Sequence, residues 1–332
     1  MEKKKTERPF TWLVRTHYTL RNIKEALIEN TSLVPKQKYL LKEVIDSLRE
    51  NVFFNRKKDL SKEQLMEISR CMQNAWINEA FLRKSRKIPL ENVFFFLDYV
   101  CFYYSMYSSL SAVVRALEPS LRKQGHEIKI FCYNEILIRN KEIRKVVKKP
   151  FSLVIKQSNI YNLNSSQKVK ADKTFLRTLR RAIEKGKVSE YLKEGERTLR
   201  VLRTLLKFYD TEYSEKAKKA VSIINYLMRC RHFFHYRSSS IFDEKYVINR
   251  YLKPLKEDMQ FVICCFNACN ELFLKHYAKV DLESIFENFK KKVEKNVELQ
   301  PLFEHGIVPV KPKKETTFPV EFNFIEKRLS LL

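Results

Sequence analysis

YVCFYYSMYSSLSAVV, residues 99–114, is the most apolar run in the chain, and its reading decides the fold. It is either a membrane span or the central helix of a bundle. A helix that crosses a bilayer needs about 20 apolar residues. This run covers 16, is bounded by Asp98 and Arg115, and is threaded with serine and tyrosine. It therefore reads as a buried core helix. Periodicity extends the helix over 91–117, with the Glu118–Pro119 pair as its stop.

The rest of the composition agrees with a helical protein. Of 332 residues, 44% are hydrophobic, enough for a substantial core in one large domain or two ordinary ones. There are only 4 glycines (Gly125, Gly186, Gly195 and Gly306). That scarcity disfavours a sheet-rich fold, whose tight turns call for positive φ. It also excludes phosphate loops of the Walker or dinucleotide type, because no two glycines fall at the required spacing. The fold class expected is all-α. The N-terminus, MEKKKTERPF, has no apolar signal segment. Seven scattered cysteines without a CxxC pair fit a reducing, cytoplasmic setting. Cys265 and Cys269 lie one turn apart with His276 beyond them, but core packing explains such residues better than a metal does. No cofactor and no metal site are expected.

Charge is the second strong feature. Lys and Arg total 65 against 39 Asp and Glu, a net charge of +26. A polyanionic partner relieves self-repulsion on that scale, and nucleic acid is the first candidate. A membrane surface ranks lower, because no helix pairs a strong basic face with Trp-rich anchoring. The excess is concentrated. Between Arg139 and Lys207, 20 basic residues face 6 acidic ones. RTLRRAIEKGK and ERTLRVLRTLLK repeat Arg at spacings of three and four. Arg177, Arg180, Arg181, Arg197, Arg200 and Arg203 are thus the candidate phosphate-tracking residues. A solvated amphipathic face is the plainer alternative.

Along the chain, 11–50 reads as one or two amphipathic helices broken near Pro35. SKEQ, from Ser61, is a capping box that opens the next helix. KQGHE turns into a helix from about 127. PFSLVIKQSNIYNLNSSQ, within 150–172, reads as a loop with one short strand. Further helices are expected at 173–185, 189–209 and 214–234. After a break at SSSIFDEK come a long helix over 247–277 and a short one from 281. Beyond Pro301 a Pro- and Lys-containing tail reads as extended.

RCRHFFHYR, residues 229–237, carries the candidate chemistry. Histidine exchanges protons near neutral pH, and arginine binds phosphate in a fork. Together they suffice for RNA cleavage without a metal. A 2′-hydroxyl attacks the adjacent phosphorus, His moves the proton, and Arg stabilises the developing charge. Arg231 and His235 are four apart and share a helical face. Arg229 and His235 are six apart and converge only if the helix ends between them or if two chains build the site. A basic helix end favoured by the macrodipole is the modest alternative. Tyr103, Tyr104 and Tyr107 read as core, and His126 as bordering a helix. Tyr236 either stacks on a base or packs, and Arg237 is an auxiliary phosphate contact.

In this arrangement the chain resembles the HEPN superfamily. Arg229, five residues, then His235, after an apolar helix and before a long one, is similar to its Arg–His motif. FYYSMYSSLSAVVRAL followed by GHE (Tyr103, Tyr104, Ser105, Met106, Tyr107, Gly125, His126) is similar to the aromatic helix of many members. The resemblance covers roughly 61–280 and departs from the family at Cys230, where a polar residue is usual. It implies a multi-helix bundle, usually a homodimer in which two motifs share a cleft. It also implies a metal-independent endoribonuclease that leaves 2′,3′-cyclic phosphate ends in antiviral defence, as in toxin–antitoxin, abortive-infection and CRISPR-associated systems. Arg229 and His235 would be catalytic, with Arg231, His232, Tyr236 and Arg237 auxiliary. RNA would be a partner, as would an antitoxin or a defence-complex subunit, and no membrane would be involved. The alternative is a non-catalytic RNA- or DNA-binding helical protein, or a subunit of a defence ribonucleoprotein. The division implied is an N-terminal helical segment (1–60), a HEPN-like domain (61–280) with a basic insertion at about 139–207, and a C-terminal short helix and tail (281–332).

Overall fold

The computed structural model describes residues 9–29, 46, 59–84, 91–121, 124–157, 159–164, 167–185, 195–212, 219–237, 245–296 and 322–332. Helices account for 81% of them, so the chain is mostly α, but not entirely. In chain order the helices are α1 (Pro9–Glu29), α2 (Lys62–Lys84), α3 (Glu91–Leu117), α4 (His126–Arg139), α5 (Lys141–Val146), α6 (Lys173–Glu184), α7 (Glu196–Glu212), α8 (Ile223–Arg237), α9 (Lys245–His276), α10 (Leu282–Asn296) and α11 (Asn323–Leu331). The strands are β1 (Val154–Lys156), β2 (Asn159–Asn164), β3 (Gln167–Lys170) and β4 (Val221–Ser222).

The capping box at the start of α2 forms as the sequence predicts. The Gln64 amide N–H donates to Ser61 Oγ at 3.2 Å, and the Ser61 N–H donates to Gln64 Oε1 at 3.1 Å. α2 packs antiparallel on α3, and α9 packs on both. The membrane-like run of α3 is the centre of this layer, with Phe102, Leu110, Ala112, Val113 and Val114 fully buried. Among the described residues, no helix is long and apolar enough to cross a membrane.

The serines that interrupt that run hold its neighbours. Ser105 donates to the Ala75 carbonyl on α2 at 2.8 Å and accepts from Asn267 of α9 at 3.0 Å. Ser109 accepts from Asn270 at 2.9 Å, and Asn270 in turn accepts from Tyr133 of α4 at 2.7 Å. Buried polar groups need such partners, and here the partners tie α2, α4 and α9 to α3.

The C-terminal segment departs from the expected extended tail. Residues 297–321, which include the Pro/Lys-containing stretch, lie outside the described residues. Residues 323–331 form α11, and its Arg328 is fully buried. The guanidinium donates two 2.7 Å bonds to Glu271 of α9 and one of 2.7 Å to Glu79 of α2. Trp76 donates to the same Glu271 at 2.8 Å. Burial alone would raise the Glu79 carboxyl; the charges of Arg328 and Arg83 outweigh it, and the net shift is downward.

A small sheet accompanies the helices, where the sequence reading expected one short strand. β3, β2, β1 and β4 lie side by side in that order, all antiparallel. Val154, Ile155 and Ile160 are buried, and β-branched residues favour this pleated, half-covered setting. Gln157 turns the β1–β2 hairpin with φ 49°, and Asn162 has φ 62° within the irregular part of the β2–β3 pairing. Two left-handed positions without glycine are why composition understated the sheet. β4 is two residues long and runs directly into α8, so its pattern merges with that of the helix.

Two segments assigned to separate regions share this core. α1 packs on α7, α8 and α9 and buries Leu13, Leu20, Ile23 and Leu27. Within the basic insertion, α6 lies on α7, which packs on α1 and α8. Pro35 and the SSSIFDEK break up to residue 244 lie outside the described residues.

The Arg328 contacts set a stability test. Arg328→Met leaves the buried Glu271 without its ion-pair partner and Glu79 with Arg83 alone, and should cost about 3–5 kcal/mol in chemical denaturation. Adding Glu79→Gln and Glu271→Gln to that variant should restore most of the loss. An Arg328→Met protein as stable as the parent would show that the contacts carry no weight.

Candidate functional site

α8 carries Arg229–Arg237 as one continuous helix. Positions 231 and 235 therefore lie about 40° apart around its axis, and 229 and 235 about 120° apart. Three consecutive residues take three directions. Arg229 is exposed and sits 3.6 Å from Glu212 of α7. Cys230 is buried and accepts a hydrogen bond from Thr16 of α1 at 3.5 Å; burial pushes its thiol up to about 11. Arg231 is only 8% exposed and turns towards α3.

On α3, Arg231 donates to the Tyr104 hydroxyl at 2.8 Å. Its guanidinium lies 5.1 Å from the Tyr103 ring and 5.4 Å from the Tyr104 ring, within cation–π range. Its Nε has no hydrogen-bond partner among the described residues. Burial drives the Tyr103 phenol well above its ordinary value, even with Arg231 beside it. That hydroxyl therefore stays protonated.

His126 completes the group. It is the first residue of α4, after Gly125, and it is half-buried. Its ring stacks on Tyr107 at 4.0 Å with 9° between planes, and it meets Tyr104 edge-on at 5.5 Å. Its Nδ1 is 3.2 Å from the Tyr103 hydroxyl. Burial lowers the His126 pKa below 6.5, and the positive charges of Arg231, Lys129 and His232 lower it further. Lys129, over the Tyr107 ring at 5.7 Å, is itself lowered by burial and by Arg115. The imidazole is thus neutral at pH 7, beside a fixed guanidinium, with His232 exposed next to it. A neutral imidazole beside a fixed guanidinium has the chemistry to accept a proton and to stabilise negative charge.

The structure thus brings Arg231 and His232 together with His126 and the three tyrosines, and turns Arg229 away from them. The side chains of His235, Tyr236 and Arg237 lie outside the described residues; their backbone continues α8. His126 and Tyr104 were not legible as site members, because their placement depends on α3, α4 and α8 meeting. The spacing of Tyr103, Tyr104 and Tyr107, with a Gly-His further on, was the available signal.

The six basic-insertion arginines divide. Arg180 pairs with Asp210, Arg197 with Glu25 of α1 at 2.8 Å, Arg200 with Glu196, and Arg203 with Glu184 at 2.9 Å. Arg177 and Arg181 are exposed on α6. Pairs this open are worth about 0–1 kcal/mol, so a phosphate competes with them readily. Cys265 and Cys269 are fully buried. Among the described residues, no group of three or more His, Cys, Asp or Glu is placed to hold a metal ion. A cavity of about 560 Å³ lies near the other end of α4, between Leu117, Cys132, Glu135 and Arg139, and contains none of the histidines.

Comparison with known protein families, with curated proteins and with solved structures found no match.

The electrostatics give a direct check. In an NMR titration of the imidazole ring protons, His126 should titrate below 6.5. Arg231→Met should move that midpoint upward, because one of the charges opposing protonation is gone. An unmoved midpoint would mean that Arg231 does not act on His126.

Proposed function

We propose that the chain is a metal-independent endoribonuclease of HEPN type. It would cleave RNA by 2′-hydroxyl attack to leave 2′,3′-cyclic phosphate ends. The observation that carries this reading is the Arg231–tyrosine–His126 arrangement beside His232. A guanidinium fixed by a phenol hydroxyl and two rings needs no reorganisation when charge develops on a phosphate. Nearby histidines supply proton transfer. The continuous helix supports Arg231 as the residue that acts with His235, and Arg229 as a phosphate contact off that face. The net charge of +26, with Arg177 and Arg181 exposed, supplies attraction for an RNA backbone. The family resemblance adds a homodimer, a role in antiviral defence, and restraint by an antitoxin or a complex partner.

A second reading has one observation in its favour. Arg231 is 92% buried against Tyr104, as a packing residue would be. On that reading the chain binds RNA or DNA without cutting it.

Purified full-length protein with labelled RNA separates the two. Cleavage should persist in EDTA and give cyclic phosphate ends. His235→Ala and Arg231→Ala should each lower the rate about 10²–10⁴-fold while RNA binding stays within a few-fold. Salt-sensitive binding with no products would favour the second reading, and cleavage abolished by EDTA would refute the mechanism.

A further inference from the structure

We propose that His126 is the proton acceptor for the attacking 2′-hydroxyl, and so a catalytic residue supplied by α4 rather than by α8. The inference rests on the endoribonuclease reading. In an in-line displacement at phosphorus, the entering and leaving oxygens lie on opposite sides of the atom. The entering 2′-oxygen must lose a proton, and the leaving 5′-oxygen must gain one. A second group, on a different element from the first, suits that geometry. His232 is carried by α8, whereas His126 is carried by α4 and is held against the tyrosines of α3.

Three features fit His126 to the accepting role. Its ring is held by the Tyr107 stack at 4.0 Å and by the contact between Nδ1 and the Tyr103 hydroxyl, and in the tautomer whose Nδ1–H donates to the Tyr103 oxygen, Nε2 is the unprotonated nitrogen that faces substrate chemistry. It is half-buried rather than sealed in the core. It is also uncharged at neutral pH, as an acceptor must be. The titratable and charged groups around it are Tyr103, Tyr104 and Tyr107 from α3, Arg231 and His232 from α8, and Lys129 and Glu127 on its own helix. Beyond Lys129 stand Arg115, Glu67 and Cys71. The cations nearest His126 disfavour the imidazolium, and so does its place at a helix N-terminus.

The step balances without another reactant. The 2′-O–H bond breaks and its proton passes to His126 Nε2. The O2′–P bond forms as the P–O5′ bond breaks, and an α8 histidine protonates the leaving O5′. The products are a 2′,3′-cyclic phosphate and a 5′-hydroxyl.

The experiment is the pH dependence of RNA cleavage by the full chain. The parent should lose activity as pH falls through an inflection below 6.5, where His126 takes up a proton. His126→Gln and His126→Ala should cut the rate at pH 7 by about 10²–10³-fold and abolish that inflection. Added imidazole should restore part of the Ala variant's rate. Lys129→Met, which removes one opposing charge, should shift the inflection to higher pH. It also keeps the idea testable if the His126 variants fail to fold. Folded His126 variants with parental rate and an unchanged acid limb would overturn the assignment while leaving the ribonuclease reading intact, and so would a Lys129→Met limb that does not move. A parent that cuts no RNA would overturn both.

Discussion

A guanidinium sealed from water sets the terms for this structure. Moving Arg328 and two carboxylates out of water costs several kcal/mol per ion, recovered only when geometry and hydrogen bonding are both complete. Here they are. Arg328 uses Nε and both terminal nitrogens on Glu271 and Glu79, and Trp76 and Asn267 take further acceptor positions on the same carboxylates. Arg83, 3.5 Å from Glu79 and stacked over Phe324, brings a second positive charge to the two negative ones. The requirement propagates. Asn267 also donates to Ser105, and Ser105 directly follows Tyr104 on α3. The residues that satisfy the buried charges therefore also fix the helix that presents the tyrosines to Arg231.

Much of this architecture was readable from local signals. The Ser61–Gln64 capping box, the Pro119 stop and the apolar run of α3 are properties of short segments, and each appears where its chemistry requires. What was hidden depends on distance in sequence. Arg328 is 249 residues from Glu79, and nothing around it marks it as a core residue. β4 consists of two residues that count as a strand only because β1 lies beside them. The sheet was understated because Gln157 and Asn162 take the left-handed positions for which glycine is the usual marker.

The candidate site was half legible. Histidines and arginines in RCRHFFHYR announced chemistry, but not which of them act together. Arg229, Cys230 and Arg231 differ by 100° steps around α8 and meet α7, α1 and α3 respectively. Cys230 faces Thr16 inside the core, where a thiol is at home and a charged side chain is not. Its neighbour Arg231 is thereby turned to the aromatic helix.

The junction of β4 and α8 bears on how separable the basic region is. Ser222 ends the strand and Ile223 begins the helix, with no residue between them. Asn225, in the first turn, accepts from the Ser222 N–H at 3.0 Å and from Asn134 of α4 at 2.8 Å. The helix that carries the arginines and histidines is thus anchored at its start to a sheet whose other strands come from 154–170. A protein of this design does not carry its basic region as an exchangeable module. The region's strands and α4 hold the first turn of the helix on which Arg229 and Arg231 sit, so removing the region would also remove what anchors that helix.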